Sequence, residues 1–379
     1  MKKLIFFALF VFTALFFSTH NSYAVYDPLS VPNNKIGVHI LFTSELSQAR
    51  ELVNSNGGDW GYVTIPIQAG DKDLKKWQKF MDDAKELHLI PMIRLATELN
   101  YFDNKTWKKP KEEDVIDFAN FLDSLSWHTK NRYIIVFNEV NRADEWEGQA
   151  DPNEYAQILF FAISAFKSKS GDYFIISSGM DNASETDGEN YNQFDYFELM
   201  EVNVPGIFSR IDGIGSHSYP NPAFSQPPDI TTDKSITSFL YESSFIEKLT
   251  QKSLPIFITE TNWDQNVFTD DEIGNFFEEA IGGTWNDQRI VAITPFLLMS
   301  HGDQFKNFSF INKNGEKNQI FKKIQSVGKV SGEPLINNER KVLSSSGLQN
   351  LPTEKFTENK KSSHEERLKN LIKWIFLGT

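Results

Sequence analysis

The chain has 379 residues, of which 40% are hydrophobic and 14% aromatic, so it can bury a large core. Its formal net charge of −13 argues against nucleic acid and anionic polysaccharides as partners, because both are bound by basic grooves. The absence of cysteine excludes disulfides, thiolate metal sites and a cysteine nucleophile. We therefore expect a neutral ligand, and we expect the protein to be a monomer.

Residues 1–24 have the pattern of a secretory signal peptide. Lys2 and Lys3 precede an apolar run over residues 4–17, and Ser22-Tyr23-Ala24 supplies a small-x-small end. The run is shorter than the ~20 residues that a membrane-spanning helix needs, although an uncleaved anchor is the alternative. This pattern predicts an exported protein that is secreted or held in the cell envelope.

From residue 35 onward, short apolar strand patterns alternate with helical patterns, which predicts βαβ units and a parallel sheet. Helical spacing is clearest over residues 74–87 and 115–125, and Asp151-Pro152 marks the start of another helix. No glycine-rich phosphate turn follows the first strand, which disfavours a doubly wound sheet. We therefore predict an α/β fold, a (β/α)8 TIM barrel, over residues 25–330. The predicted strands are residues 36–40, 62–67, 89–95, 133–137, 173–177, 211–216, 256–259 and 291–298.

Residues 331–379 differ in composition from the barrel. Residues 331–363 are rich in Ser, Asn, Lys and Glu and are predicted to be a polar linker. Residues 365–377 place apolar side chains at helical spacing beside basic residues. This short amphipathic C-terminal helix is expected to pack on the barrel or, alternatively, to make a peripheral membrane contact.

Two glutamates occupy similar phrases at the ends of predicted strands. Glu139 follows Phe137-Asn138, and Glu260 follows Ile258-Thr259. They are 260 − 139 = 121 residues apart, enough for three strand-helix units of a barrel with ~250 residues in eight units, so they lie on strands 4 and 7. Two carboxyl groups facing each other across a barrel mouth are what glycoside hydrolysis requires.

Other polar side chains at the ends of predicted strands would surround this pair. Catalytic and binding residues of barrels come from the carboxyl ends of the strands. Trp146 and Trp263 are candidate stacking faces for a sugar ring. The remaining candidate substrate-binding residues are His39, Arg94, Asn138, His217 and Tyr219.

The phrase Asn138-Glu139, with Glu260 and with His217-Ser218-Tyr219, resembles clan A glycoside hydrolases, the retaining (β/α)8 families that include cellulases, mannanases and xylosidases. The resemblance covers residues 35–328. It implies that Glu139 is the acid/base and Glu260 the nucleophile. It also implies hydrolysis of β-linked glycans by double displacement, with no cofactor.

The chain departs from the clan pattern at two places. Many members carry an arginine at the end of strand 2, where this sequence has Ile65-Pro66-Ile67, so Arg94 is the candidate substitute. The usual tryptophan of strand 8 is missing, and Phe296 is nearest in position. These departures concern the choice of substrate more than the reaction.

Two other functions are alternatives to a glycosidase. A metal hydrolase would require clustered ligands, but the seven histidines show no His-x-His or Glu-x-x-His pairing, and we predict no metal. The alternative from another class is a catalytically inactive barrel that binds carbohydrate at the cell surface.

Overall fold

The computed structural model describes residues 25–100, 106–302 and 305–337. The predicted signal peptide and the predicted C-terminal helix lie outside these ranges. Within them, no helix combines the length and apolar character needed to cross a membrane.

Eight parallel strands form the barrel, which confirms the predicted fold. Strands β1 to β5 form one sheet in chain order, and β8, β7 and β6 form a second. Parallel bridges between Ile36 and Ile293 and between Ile176 and Gly213 join the two sheets at both edges. The strands are β1 (Gly37–His39), β2 (Gly61–Gln68), β3 (Leu89–Ala96), β4 (Arg132–Ile135), β5 (Tyr173–Ile176), β6 (Ile214–His217), β7 (Ile256–Glu260) and β8 (Ile290–Ile293).

Helices alternate with the strands and cover the barrel. The Asp151 side chain caps the fourth helix, and Pro152 is its first residue, as predicted. A short antiparallel ribbon pairs Leu99–Asn100 with Thr106–Trp107. The helices are α1 (Leu46–Val53), α2 (Leu74–Glu86), α3 (Glu112–Ser124), α4 (Pro152–Lys169), α5 (Gln193–Asn203), α6 (Ser238–Thr250), α7 (Asp270–Gly282) and α8 (Gln319–Ser326).

The barrel interior changes from apolar to polar along the strands. Tyr62, Tyr133 and Phe257 belong to a buried cluster that fills the amino-terminal half. On β3, Ile90 and Met92 also belong to this cluster, while Arg94, two residues further, contacts side chains of the site. Because side chains alternate between the two faces of a strand, the residues that fill the interior also aim Arg94 at the mouth.

Two predicted boundaries were wrong. Strand 8 ends at Ile293 rather than at residue 298, because the chain beyond it no longer pairs regularly: the Leu298 amide donates to the carbonyl of His39 at the end of β1 at 2.9 Å, and the Leu297 amide donates to the Phe308 carbonyl at 3.1 Å. The predicted linker begins as part of the barrel: Gly332 N–H donates to the Asp59 carbonyl at 2.9 Å, and Lys130 N–H donates to Leu335 at 2.8 Å. Backbone hydrogen bonds to the barrel therefore continue past residue 330, the predicted end of the barrel.

A carboxyl group is buried behind β6, the strand that carries His217. Glu242 lies on α6 and is only 1% exposed. The hydroxyls of Ser216 and Ser238 lie close enough to lower its pKa in part, but its carboxyl oxygens have no partner of good hydrogen-bond geometry in the described chain. Burial is the larger effect and raises the pKa of Glu242 to about 7.

We expect Glu242→Gln to stabilise the protein increasingly as the pH rises from about 4.5 to about 7. The folded-state pKa lies above the unfolded value, so the wild type is favoured when the carboxyl is protonated and loses stability as the group ionises. The gain of the variant should reach at most roughly 3 kcal/mol above pH 8 and vanish near pH 4. Denaturant unfolding of both proteins across this range measures it. A difference in unfolding free energy that is the same at every pH would contradict this origin.

Candidate active site

Glu139 and Glu260 face each other at the carboxyl ends of the strands. Glu260 is the last residue of β7, and Glu139 follows β4. Both are buried, at 8% and 7% exposure. One oxygen of each carboxylate and a ring nitrogen of His217 lie within 4.8 Å of one another. The structure therefore brings the two predicted catalytic glutamates together.

Glu260 is held by donors to both of its oxygens. Arg94 Nη1 donates to Oε1 at 2.8 Å, and the Tyr219 hydroxyl donates to Oε2 at 3.0 Å. His39 Nε2 lies 3.6 Å from Oε1. An arginine of β3 therefore contacts Glu260, and the neighbouring strand β2, where the clan pattern has an arginine, has none in this sequence. The hydrogen bonds from Arg94 and Tyr219 fix the orientation of this carboxylate.

Glu139 is held by a different set of donors. His217 Nδ1 lies 2.9 Å from Oε1, and Arg142 Nη1 donates to Oε2 at 3.0 Å. Burial raises the pKa of Glu139. The hydrogen bond and charge of His217, together with the charges of Arg142 and Arg94, outweigh burial, so the pKa of Glu139 lies below its ordinary value. Burial lowers the pKa of His217, but Glu260 and Glu139 outweigh this and raise it. The proton that this pair shares is therefore held on His217 in the free site.

The backbone at the end of β4 is strained. Phe137 and Glu139 both have positive φ angles, of 69° and 37°, although neither is glycine. The amide of Glu139 donates to the Gly179 carbonyl at 3.0 Å, which ties this turn to the loop after β5. Left-handed backbone at a non-glycine residue costs of order 1 kcal/mol or more and is found most often at functional sites.

Asn138 is fixed at both ends of its amide. Its Oδ1 accepts a hydrogen bond from Arg94, and its Nδ2 donates to Glu145 Oε1 at 3.1 Å. Burial and the charge of Glu139 raise the pKa of Glu145 to about 8, against the opposing charges of Arg94 and Arg142. A sugar hydroxyl that binds Asn138 Nδ2 would have to share it with Glu145.

Arg142 and Glu145 were missed as site residues from the sequence. Both lie in the charged loop after β4, where only Trp146 was selected. The sequence signal that could have indicated Arg142 is its position three residues after Glu139, with which it forms an ion pair. Loop side chains have no fixed periodicity, so their direction follows from the turn at Glu139 rather than from a pattern.

The two tryptophans predicted as sugar platforms are both buried. Trp263 is fully buried against Phe277 and Trp285, with its indole N–H donating to the Gln226 carbonyl at 2.8 Å. Trp146 is 2% exposed and packs edge-on against Tyr155. Both serve the contact between strand ends and helices, so neither ring offers a face for a sugar.

His39 lies in the site but has no hydrogen-bond partner among the described residues. It is fully buried, and both ring nitrogens are unpaired. Burial, followed by the charges of Arg94 and His217, lowers its pKa well below the ordinary value, so the ring is neutral. Its Nε2 remains available to a group that approaches Glu260.

The ligand atoms of Glu139, His217 and Glu260 are close enough together to suit a metal ion. The surrounding charges oppose one, because Arg94 and Arg142 already donate to the two carboxylates. A divalent cation would be placed beside two guanidinium groups. The donor set therefore fits paired carboxylate chemistry better than metal coordination.

A (β/α)8 barrel with two carboxylates facing each other across its mouth is the architecture of a glycoside hydrolase. The family model described as glycosyl hydrolase catalytic core matches residues 100–323, more than half of the chain. The chain belongs to this family and is a glycosidase. No curated protein matches the sequence.

Solved structures with similar folds are glycoside hydrolases. A family 39 glycoside hydrolase from the gut symbiont Bacteroides cellulosilyticus WH2 has a TM-score of 0.58 and 14% identity, covering 80% of this chain. This chain spans only 64% of that protein's length. A GH5_18 variant from Bifidobacterium longum subsp. longum, solved in complex with Manβ1-4GlcNAc, has a TM-score of 0.56 and 12% identity, covering 78% of each chain. A GH5_18 protein from Streptomyces cattleya, solved with GlcNAc, has a TM-score of 0.55 and 12% identity, covering 78% of this chain and 80% of its own. At these identities the similarity concerns the fold.

Gly179 is a further residue on which the site depends. A Cβ atom at this position would lie 2.1 Å from Cδ2 of His217. The His217 ring therefore packs directly on the Gly179 backbone, and this contact places Nδ1 beside Glu139.

We expect Gly179→Ala to lower kcat/KM on aryl β-glycosides by roughly a hundredfold, because it displaces the His217 ring by about an ångström. Gly282→Ala is the matched control, since nothing lies within 4 Å of a Cβ there. Steady-state kinetics, with circular dichroism to verify folding, make the comparison. A folded Gly179→Ala variant with wild-type kinetics would show that the position of His217 does not matter for turnover.

Proposed function

We propose that the protein is an exported, retaining β-glycosidase that cleaves neutral β-linked glycans by double displacement. The observation that carries the proposal is the pair of buried glutamates on β4 and β7, with oxygens within 4.8 Å of each other and with different partners. The acidic net charge supports a neutral glycan, and the pattern of residues 1–24 supports export. Manβ1-4GlcNAc, bound in the Bifidobacterium neighbour, is also β-linked.

The short separation favours retention over inversion. Carboxyl groups of retaining enzymes lie ~5 to 5.5 Å apart, whereas inverting enzymes leave ~6.5 to 9.5 Å for a water molecule between carboxylate and sugar. The nearest oxygens of Glu139 and Glu260 lie within 4.8 Å, which favours the smaller spacing. A direct attack by one carboxylate on the sugar fits this gap.

Glu260 is the proposed nucleophile. Arg94 and Tyr219 hold its carboxyl group in place, so that one oxygen is positioned to attack the anomeric carbon. The new carbon–oxygen bond forms as the bond to the leaving oxygen breaks, and Glu139 gives that oxygen a proton. In the second step Glu139 takes a proton from water, the hydroxide adds to the anomeric carbon, and Glu260 is released.

Glu139 must hold a proton when the leaving oxygen departs, although its pKa is lowered in the free site. His217 is the proposed source, since its pKa is raised and its Nδ1 lies 2.9 Å from Oε1 of Glu139. A proton that moves from Nδ1 to Oε1 converts Glu139 to the carboxylic acid, which passes this proton to the leaving oxygen as the glycosidic bond breaks. The proton that Glu139 takes from water in the second step then returns to His217 and restores the starting state. Arg142 is 37% exposed, so substrate can displace its guanidinium from Glu139 and thereby raise the pKa of Glu139.

We expect the loss of activity in Glu139→Gln to depend on the leaving group. For a methyl or alkyl β-glycoside, kcat/KM should fall ~10²–10⁴-fold, because general acid catalysis is lost. For a dinitrophenyl β-glycoside the loss should be much smaller, because that leaving group departs without a proton. Glu147→Gln, an exposed change in the same loop, is the matched control and should retain wild-type kinetics. An equal loss for both substrates would contradict the assignment of Glu139 as the acid.

We expect a mechanism-based 2-fluoro-glycosyl inhibitor to label Glu260 covalently. Mass spectrometry of the digested protein should place the sugar on the peptide with Glu260, and Glu260→Gln should stay unlabelled. NMR of the first product should show the β-anomer. Labelling elsewhere, or an α-anomeric product, would refute the retaining assignment. An absence of hydrolysis across a broad glycan panel would favour the alternative of an inactive carbohydrate-binding barrel.

A further inference from the structure

The burial of Trp146 and Trp263 leaves the question of which aromatic surface a glycan would contact. In the described parts of the chain, the exposed aromatic side chains among Phe, Tyr and Trp are Phe42, Tyr241 and Phe305. Tyr241 lies on α6. Phe42 follows β1 and Phe305 follows β8, so both belong to the face of the barrel that carries the glutamates.

A series of ring contacts connects Phe305 with Glu260. Phe305 packs edge-on against Phe296 at a centroid distance of 5.1 Å, and Phe296 packs edge-on against His39 at 5.1 Å. His39 Nε2 lies 3.6 Å from Glu260 Oε1. The exposed ring is therefore continuous with the wall of the site.

A buried carboxylate holds the other part of this surface. Glu45 is 2% exposed, and its Oε1 accepts the backbone N–H of Phe42 at 3.0 Å and faces His301 Nε2 at 3.0 Å. The rings of Phe42 and His301 then meet edge-on at 4.6 Å. These contacts restrain the Phe42 backbone and the His301 ring before any ligand arrives, which reduces the entropy that binding would cost.

We propose that Phe42, His301 and Phe305, named here the rim surface, bind a further sugar unit of the glycan whose scissile bond lies at Glu260. This inference rests on the proposed function. Aromatic rings present a flat apolar face to the C–H face of a pyranose, and a fixed imidazole beside them offers a hydrogen bond to a hydroxyl. Phe305 is connected to the site through Phe296, and the loops that carry Phe42 and Phe305 follow the neighbouring strands β1 and β8, so the occupant is the next part of the same glycan. The protein should accordingly prefer oligosaccharides to monosaccharide glycosides.

The test compares Phe42→Ala and Phe305→Ala with the wild type on two kinds of substrate. One is an aryl β-monoglycoside, and the other is a series of β-1,3- and β-1,4-linked gluco- and manno-oligosaccharides of two to six units. For the longer oligosaccharides that the wild type cleaves, kcat/KM should fall roughly three- to tenfold more than for the aryl glycoside, the range expected when one aromatic contact is removed. The loss should reside mainly in KM.

Controls separate stacking from structural damage. Phe42→Trp and Phe305→Trp keep an aromatic face and should restore the preference for long substrates. Tyr241→Ala removes a ring of similar exposure on α6 and should leave every ratio unchanged. A wild type that cleaves long and short substrates equally well, or alanine variants that lose both equally, would overturn the rim surface while leaving the glycosidase assignment intact. An inactive wild type would instead overturn the proposed function.

Discussion

The balance of charge around two buried carboxylates is the constraint on which the site depends. Glu139 and Glu260 lie within 4.8 Å in a mouth that excludes most water, where like charges repel strongly. Arg94 and Arg142 each donate to one of them, and His217 lies between the two. Removing any of these three groups would take away a direct contact or positive charge that offsets the repulsion between the carboxylates. The pair is therefore stable only as part of a five-residue network.

The barrel supplies this network through the alternation of its strands. The interior of β3 reads Ile90, Met92, Arg94, so the register that packs the first two residues also delivers the arginine to the mouth. At β6, the His217 ring occupies space that a Cβ at residue 179 would fill. Apolar packing in the barrel interior thus determines where Arg94 lies, and the absence of a side chain at Gly179 determines where His217 lies.

The parts of the site that follow from strand periodicity were predictable from the sequence, and the parts that follow from turns were not. The strand ends placed Glu139, Glu260, Arg94 and His217 on one face because parallel strands share an edge. The positive φ of Glu139 sets the direction of the next loop, so the contact of Arg142 with Glu139 could not be inferred from spacing. Trp263 was misassigned because a tryptophan near a strand end can equally pack against helices, as it does on Phe277 of α7. The tail boundary was misplaced because residues 331–337 pair through backbone groups, for which polar composition gives no signal.

The location of a proton distinguishes the two glutamates more than their positions do. Glu260 accepts hydrogen bonds from the Arg94 guanidinium and the Tyr219 hydroxyl. Glu139 has His217, whose proton can be exchanged across a 2.9 Å contact, and Arg142, which is 37% exposed and free to be displaced by a ligand. The surroundings of the two carboxylates therefore differ: the oxygens of Glu260 accept from Arg94 on β3 and from Tyr219 after β6, whereas Glu139 contacts an imidazole whose pKa is raised. The proposed division into nucleophile and acid/base requires this asymmetry, and the asymmetry arises from neighbours on β3, β6 and the loop after β4 rather than from the glutamates themselves.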